Sequence, residues 1–297
     1  MTPHRSSARR EPYLGRSQNR RVPGLVATLA VLVLGGCSPA ANDLGVRADA
    51  ESIWGHLDCA SEGHATVTDG GDERPTAIGS PPSEDSFRRL RVMDGDNLSG
   101  ERCELGRNEH RYGTGSSTGT FQLYRDGERW TTFLSIRLPS SFPLSTPRWQ
   151  TVMQMKQTQP SANGGGAPVL ELQAYDGRWR LFSEWRLLWE TRARKGVWTR
   201  IALDVTYSPD PNLGRIKVYI DANGDGDAAD DGERSRDIQV ATLRTEIEGG
   251  RSDDGIAPGE PIPSHLRAGL YHSPEIDCSA PAGCVVEIDN IQVVRTG

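Results

Sequence analysis

Val169-Leu170-Glu171-Leu172-Gln173-Ala174-Tyr175-Asp176-Gly177-Arg178-Trp179-Arg180-Leu181-Phe182 is the stretch on which the fold reading turns. Two alternating runs flank Asp176-Gly177, a dipeptide that accepts the positive φ angles of a tight hairpin turn. Alternation puts Leu170, Leu172 and Ala174 on one face and Glu171, Gln173 and Tyr175 on the other. One side can be buried while the other meets water, as in an antiparallel sheet packed on one core.

Working outward, the same pattern recurs between Gly, Pro, Asn and Asp clusters. Strands are expected at Phe87–Val92, Gly100–Leu105, Gly119–Arg125, Arg129–Leu138, Trp149–Thr158, Pro168–Tyr175, Arg178–Trp185, Thr199–Tyr207, Gly214–Asp221, Leu266–His272 and Val285–Val294. Neither an internal repeat nor a long amphipathic helix interrupts them. So many short strands in about 240 residues predict one all-β domain, a two-sheet antiparallel β-sandwich of jelly-roll, concanavalin-like form. The closing strand is expected to pair near the start of the domain. Ser61–Asp85 reads as a loop or a weak extra element, and Thr245–Pro263 as a mobile loop beside a cleft.

The first residues read differently. Met1–Arg21 carries six arginines and one acid, followed by an apolar run, Leu25–Leu34, and then Gly35-Gly36-Cys37. A basic start, a short apolar core and small residues before a cut describe a secretory signal. Ten apolar residues fall short of the ~20 that span a bilayer as a helix. Leu34-Gly35-Gly36-Cys37 resembles a lipobox, which implies lipidation of Cys37 and an exported, cell-surface or periplasmic lipoprotein of a bacterium. The expected division is a lipoprotein signal peptide over 1–36, a flexible tether over 37–50 and the sandwich over 51–297.

Removing that leader takes the net charge from −6 to about −11. The balance argues against nucleic acid as a partner, since such binding needs a basic face. An anionic polymer would need a locally basic cleft. Only three of the basic residues are lysines, Lys156, Lys195 and Lys217, which singles each of them out. Apart from Cys37 there are four cysteines, Cys59, Cys103, Cys278 and Cys284, and in an exported protein these read as two disulfides with three pairings open. The turn-forming Ser279-Ala280-Pro281-Ala282-Gly283 favours a local Cys278–Cys284 loop, leaving Cys59 with Cys103.

Three strands carry polar groups on one face. Arg102 and Glu104 share a face opposite Cys103 and Leu105. Gln154 and Lys156 stand opposite Met153 and Met155. His265, Arg267, Gly269 and Tyr271 stand opposite Leu266, Ala268 and Leu270. On one sheet, this set suits β-elimination of a uronate sugar. That reaction needs the carboxylate neutralised, a base at C5 and an acid for the leaving C4 oxygen. Arg102 or Arg267 with Gln154 could hold the carboxylate, Tyr271 could be the acid or the base, and Lys156 the base or an electrostatic partner. The plainer readings stay open: a structural Arg102–Glu104 ion pair, a solvated Gln154–Lys156 face and a packing tyrosine.

The order Arg102-Cys103-Glu104-Leu105, Gln154-Met155-Lys156, His265-Leu266-Arg267-Ala268-Gly269-Leu270-Tyr271 resembles the R-x-E-L, Q-x-H, Y-x-K-A-G-x-Y pattern of jelly-roll polysaccharide lyases. That group includes alginate lyases, glucuronan lyases and the heparin lyase I-like enzymes. Trp130–Pro143, Lys195-Gly196-Val197-Trp198-Thr199 and Val285–Val294 are similar to segments of the last group. The resemblance runs from about Phe87 to the C-terminus. It implies that Arg102 and Gln154 bind the carboxylate and that Tyr271 is the catalytic tyrosine; Glu104, Arg267 and His265, on the same faces, are expected to line the substrate. Two departures stand out: Lys156 occupies the family's histidine position, and His265 and Arg267 replace its first tyrosine and lysine.

Asp221-Ala222-Asn223-Gly224-Asp225-Gly226-Asp227 opens like an EF-hand calcium loop, with oxygen ligands at positions one, three and five and glycine at six. Asp230, Asp231 and Glu233 follow, while Gly232 stands where the bidentate glutamate belongs. A structural calcium ion on Asp221, Asn223, Asp225, Asp227 and Asp231 is the expectation, against a solvated acidic loop. No organic cofactor is expected.

The function expected is a monomeric polysaccharide lyase cleaving a uronic-acid-containing polysaccharide outside the cytoplasm, touching the membrane only through its lipid. The alternative is a non-catalytic, lectin-like module on the same fold. A third reading is a glycoside hydrolase using paired carboxylates, for which Glu171 and Glu184 are available.

Overall fold

The structure is a computed structural model describing residues 56–60, 64–69, 86–96, 100–106, 123–157, 168–245, 256–279 and 282–297. The expected signal peptide, the lipidated Cys37 and the tether lie outside the described residues.

Every element among the described residues is a strand. One sheet has the order β1 (His56–Cys59), β4 (Arg102–Gly106), β15 (Ser264–His272), β6 (Gln150–Gln157), β7 (Leu170–Tyr175), β8 (Arg178–Ser183), β9 (Arg186–Arg192). The other runs β12 (Ile238–Gln239), β11 (Arg215–Asp221), β10 (Trp198–Thr206), β5 (Arg129–Arg137), β16 (Cys284–Arg295), β3 (Ser86–Val92), β2 (Ala65–Asp69). A two-stranded ribbon joins β13 (Arg244–Thr245) to β14 (Pro261–Ile262). Neighbouring strands in both sheets are antiparallel.

The alternation that predicted the strands also builds the core. Met153, Met155, Leu170, Leu172, Trp179, Leu181, Leu266 and Leu270 from the first sheet meet Leu90, Leu134, Ile136, Ile201, Leu203, Ile216 and Val218 from the second. Tyr124 stacks on Tyr207 with ring centroids 4.7 Å apart, and the Tyr207 hydroxyl reaches Met155 Sδ at 3.5 Å.

The quoted hairpin forms as expected: Tyr175 pairs with Arg178, and Asp176 and Gly177 take φ of 52° and 71°. The closing strand β16 lies between β3 and β5, bringing the C-terminus to the first long strand of the domain. Both favoured disulfides are present, Cys59–Cys103 and Cys278–Cys284.

One of the expected strands needs correction, and three other stretches are refined. Arg178–Trp185 is not one strand, because it ends at Ser183 and turns straight into β9. Part of Ser61–Asp85 is the edge strand β2, the weak extra element allowed for there, and residues 61–63 and 70–85 lie outside the described residues. The ends of Thr245–Pro263 pair as the β13–β14 ribbon, Thr245 opposite Pro261, while residues 246–255 lie outside the described residues. Of Gly119–Arg125, Tyr124 makes an isolated bridge to Ser264.

Candidate active site

The site face belongs to the first sheet, and the register of its central strands decides which side chains meet. Arg267 pairs with Gln154 and His265 with Lys156 across β15 and β6, while Tyr271 pairs with Arg102 and Gly269 with Glu104 across β15 and β4. The three sequence motifs are therefore adjacent strands. Gly269 lets them close up: a Cβ there would lie 2.2 Å from the Cys103 carbonyl oxygen and 2.5 Å from Glu104 Cα. The A-G-x-Y pattern thus has a steric cause, since no side chain fits between β15 and β4 at that step.

A second device lies between Thr151 and Met153, where the β6–β7 register shifts. The bulge sends both Val152 and Met153 into the core and turns Thr151 to the polar face, opposite both Tyr271 and Gln173. Thr151 then donates to Glu171 Oε2 at 2.9 Å.

Glu104 is the hub. Its carboxylate is wholly buried and accepts from Gln154 Nε2 at 2.5 Å, with Arg102 Nη1 at 3.4 Å and Arg267 Nη1 at 3.5 Å. Glu104 was expected to line the substrate. Its oxygens are instead committed to three neighbouring side chains, which it orients, as a buried charge must be paired to be tolerated. The structural Arg102–Glu104 ion pair is thus present, and the same carboxylate also holds Gln154 and Arg267.

Two arginines and a lysine around one carboxylate leave a positive surplus, and Lys156 shows its effect. Burial, then the charges of Arg267 and Arg102, push the Lys156 amine down from 10.5 to about 8, opposed by Glu104. His265 is fully enclosed, and burial followed by the Arg267 and Lys156 charges lowers its imidazole to about 3, so it is neutral at ordinary pH. Its Nδ1 has no hydrogen-bond partner among the described residues, while Arg267 Nε lies 3.5 Å from Nε2. Neutral His265 therefore cannot grip a carboxylate as a cation. Glu171 is held above the usual carboxylate range by burial, against the hydrogen bonds from Gln173 and Thr151.

Tyr271 stands at the other end of the set, six residues along β15 from His265. The Arg102 guanidinium lies 4.0 Å from its ring centroid, and Trp149 meets it edge-on at 4.8 Å. Gly100, at φ 101°, passes behind the ring, where a Cβ would come within 2.7 Å of Tyr271 Cε2. Arg102 thus links the tyrosine to the Glu104 hub, and its charge is also felt at Lys156.

All seven residues singled out for catalysis and substrate binding lie on this face. Gly100, Trp149, Thr151, Glu171, Gln173 and Arg244 complete the surroundings. Of these, Glu171 and Gln173 follow from the alternation of β7, whereas Thr151 depends on a bulge and Arg244 on the ribbon. Glu184, the second carboxylate of the hydrolase reading, is held by Arg244 at 2.8 Å.

The acidic loop lies on the other sheet, after β11. Asp221 Oδ1 accepts from Gly224 N at 2.7 Å and Oδ2 from Gly226 N at 3.0 Å. Glu233 Oε1 accepts from Ala222 N at 2.9 Å and Asn223 N at 3.3 Å. Asp225, Asp227 and Asp231 are exposed, and Asn223 Nδ2 donates to Asp225 and Asp230 at 2.9 and 2.7 Å. The loop is closed by amide-to-carboxylate bonds on its two buried acids. Among the described residues, the one converging set of His, Cys, Asp and Glu ligand atoms is His272, Cys278 and Cys284, whose cysteines are already joined.

The structure is similar to an endo-β-1,4-glucuronan lyase from the fungus Trichoderma reesei, at 15% identity and TM-score 0.52, over 82% of this chain and 91% of that one. Looser likenesses are an alginate lyase, AlgAT5, of polysaccharide lyase family 7 (12% identity, TM-score 0.42, 71% of this chain and 78% of that one) and a β-glucanase catalytic domain from Podospora anserina (13%, 0.45, 79% and 80%). No curated protein matches the chain. The glucuronan lyase likeness concerns the fold, a jelly-roll sandwich. A family model described as polysaccharide lyase matches residues 67–291, which takes in all three site strands. With most of its length inside that match, the chain belongs to the polysaccharide lyases.

Proposed function

We propose that this lyase cleaves a uronic-acid-containing polysaccharide by β-elimination, outside the cytoplasm. One observation carries the reading: in a domain of strongly negative net charge, Arg102, Arg267 and Lys156 gather around buried Glu104 on one sheet face, where burial pushes the second acid, Glu171, towards its neutral form. An acidic protein that concentrates cations at one point is suited to an anionic group there.

In this scheme Arg102 and Gln154 meet the sugar carboxylate and stabilise the charge that develops on its oxygens as C5 loses its proton. Neutral Lys156 accepts that proton. The C5–H electron pair forms the C4–C5 double bond, the C4–O bond breaks, and the Tyr271 hydroxyl gives its proton to the departing oxygen. The Lys156 ammonium and the Tyr271 phenolate then return to their starting states through solvent. Glu104 fixes the two arginines and Gln154 but touches no substrate. Two disulfides support an oxidising compartment, consistent with export and an anchor at Cys37.

The test is a panel of alginate, glucuronan and heparin followed by ultraviolet absorbance, which reports the conjugated double bond. Rising absorbance on at least one polyuronate is expected. Binding without absorbance favours the lectin-like alternative, and new reducing ends without absorbance refute elimination.

A further inference from the structure

The β8–β9 hairpin carries a strained residue pair that the catalytic scheme does not use. Ser183 pairs with Arg186, so Glu184 and Trp185 alone make the turn, at φ of 47° and 71°. Left-handed backbone at two successive positions is the turn that suits Asn-Gly or Asp-Gly, and it strains residues with larger side chains. One hairpin earlier the same chain fills the same geometry with Asp176 and Gly177, at 52° and 71°. At the second turn it places a glutamate and a tryptophan, and the indole is 67% exposed. Leu187, two residues on, is 46% exposed.

Register shows where this tip lies. Arg267, Gln154, Glu171, Phe182 and Leu187 form one row across the sheet. The turn lies just beyond that row, at the end of the sheet where Lys156 pairs with His265. It is two strands from β6, or about 10 Å at the usual strand spacing. Glu184 is tied by Arg244 at 2.8 Å, and Arg244 belongs to the ribbon that leads directly into β15. Its charge is also felt at Lys156. The tip is thus braced against the catalytic cluster.

We propose that Trp185 is a distal sugar-binding platform, on which the apolar face of a pyranose ring in the bound polymer stacks, a short oligosaccharide's length from the cleaved bond. Indole offers a large flat apolar surface with a polar edge, and such rings are stable on a wet surface when a partner covers them. A sugar ring, with one C–H face and hydroxyls around its rim, is such a partner, and this family's substrate is a chain of them. Positive φ thrusts the side chain out from the turn, which gives the strain a use. The inference rests on the functional reading above.

The test compares Trp185→Ala, Trp185→Gly and Trp185→Phe in the full chain, with Leu213→Ala, in the turn between β10 and β11, as the exposed apolar control. On whichever polyuronate the wild type cleaves, KM for long polymer should rise about tenfold in the alanine and glycine variants, equivalent to about 1.4 kcal/mol. The change should be small in the phenylalanine variant and absent in Leu213→Ala. Oligosaccharides too short to reach the tip should be cut with unaltered kcat and KM. Trp185→Gly should also melt about 2–4 °C higher, because glycine accepts the left-handed backbone. A tryptophan kept for folding would do the reverse. Polymer KM equal to the control's, or a lower melting point in Trp185→Gly, overturns the platform while leaving the lyase reading intact. So does a wild-type dimer that Trp185→Ala dissociates. A wild type that neither cleaves nor binds any polyuronate overturns both.

Discussion

Replacing Lys156 by arginine separates a base from a mere positive charge. The amine is lowered from 10.5 to about 8, chiefly by burial. At pH 7 a group titrating near 8 is about one-tenth neutral, on the order of 300-fold more than an ordinary lysine. If neutral Lys156 takes the C5 proton, kcat/KM should rise about fivefold from pH 7 to 8 and about tenfold in all, levelling off above about pH 9. Lys156→Arg keeps the cation but stays protonated throughout, so turnover should fall about 10²–10⁴-fold, the range for loss of a general base. Lys156→His should restore part of the rate, with the pH limb moved down towards 6.5. Stability gives an independent reading. The unfolded chain keeps this proton up to about pH 10.5 while the folded chain releases it near 8. Below pH 8 the fold therefore carries the full cost of the buried charge, at most about 3 kcal/mol. That cost fades as pH rises from about 8 to 10.5, so stability should increase across this window. Lys156→Met should remove the cost, melting higher at pH 7 by about 2–4 °C per kcal/mol while losing turnover. A flat profile across pH 7–8, or a Lys156→Arg enzyme within about threefold of wild type, would refute the base assignment.

The remaining predictions concern the acid, the disulfides and the acidic loop. Tyr271→Phe keeps the ring against Trp149 and Arg102 but has no proton to give, so turnover on a polyuronate should fall about 10²–10⁴-fold with binding by calorimetry little changed. Unchanged turnover removes Tyr271 from the mechanism. The Cys59–Cys103 bridge closes a sequence separation of 44 and Cys278–Cys284 one of 6. On loop-entropy grounds, serine pairs should cost about 4 and about 2 kcal/mol respectively in chemical denaturation, and the opposite order would show that chain entropy does not set their worth. If the Asp221–Glu233 loop binds calcium, thermal melts should rise with millimolar calcium, fall with chelator, and lose that response in Asp225→Asn. Identical melts with calcium and chelator would show that the amide bonds to Asp221 and Glu233 close the loop unaided.

Strands and their faces were legible in the sequence because alternation is a local property. A residue's face follows from its parity along the strand, whatever lies beside it. Leu170, Leu172, Met153, Met155, Leu266 and Leu270 could be assigned to the core, and Arg102, Gln154, Lys156 and Tyr271 to the opposite face, one strand at a time. Asp176-Gly177 announced its turn through the same local chemistry. Glu184-Trp185 did not, and β9 stayed hidden because nothing in that dipeptide favours positive φ. Which strands are neighbours, and in what register, is a pairing between segments far apart in the chain. Only the tertiary structure put Arg267 opposite Gln154 and His265 opposite Lys156, and only the bulge at Val152 turned Thr151 towards Glu171. The fate of Glu104 was settled at the same level. A carboxylate two residues from an arginine looks the same in sequence whether it faces solvent or three buried donors, and desolvation, which separates the two, exists only once the sheet has closed around it.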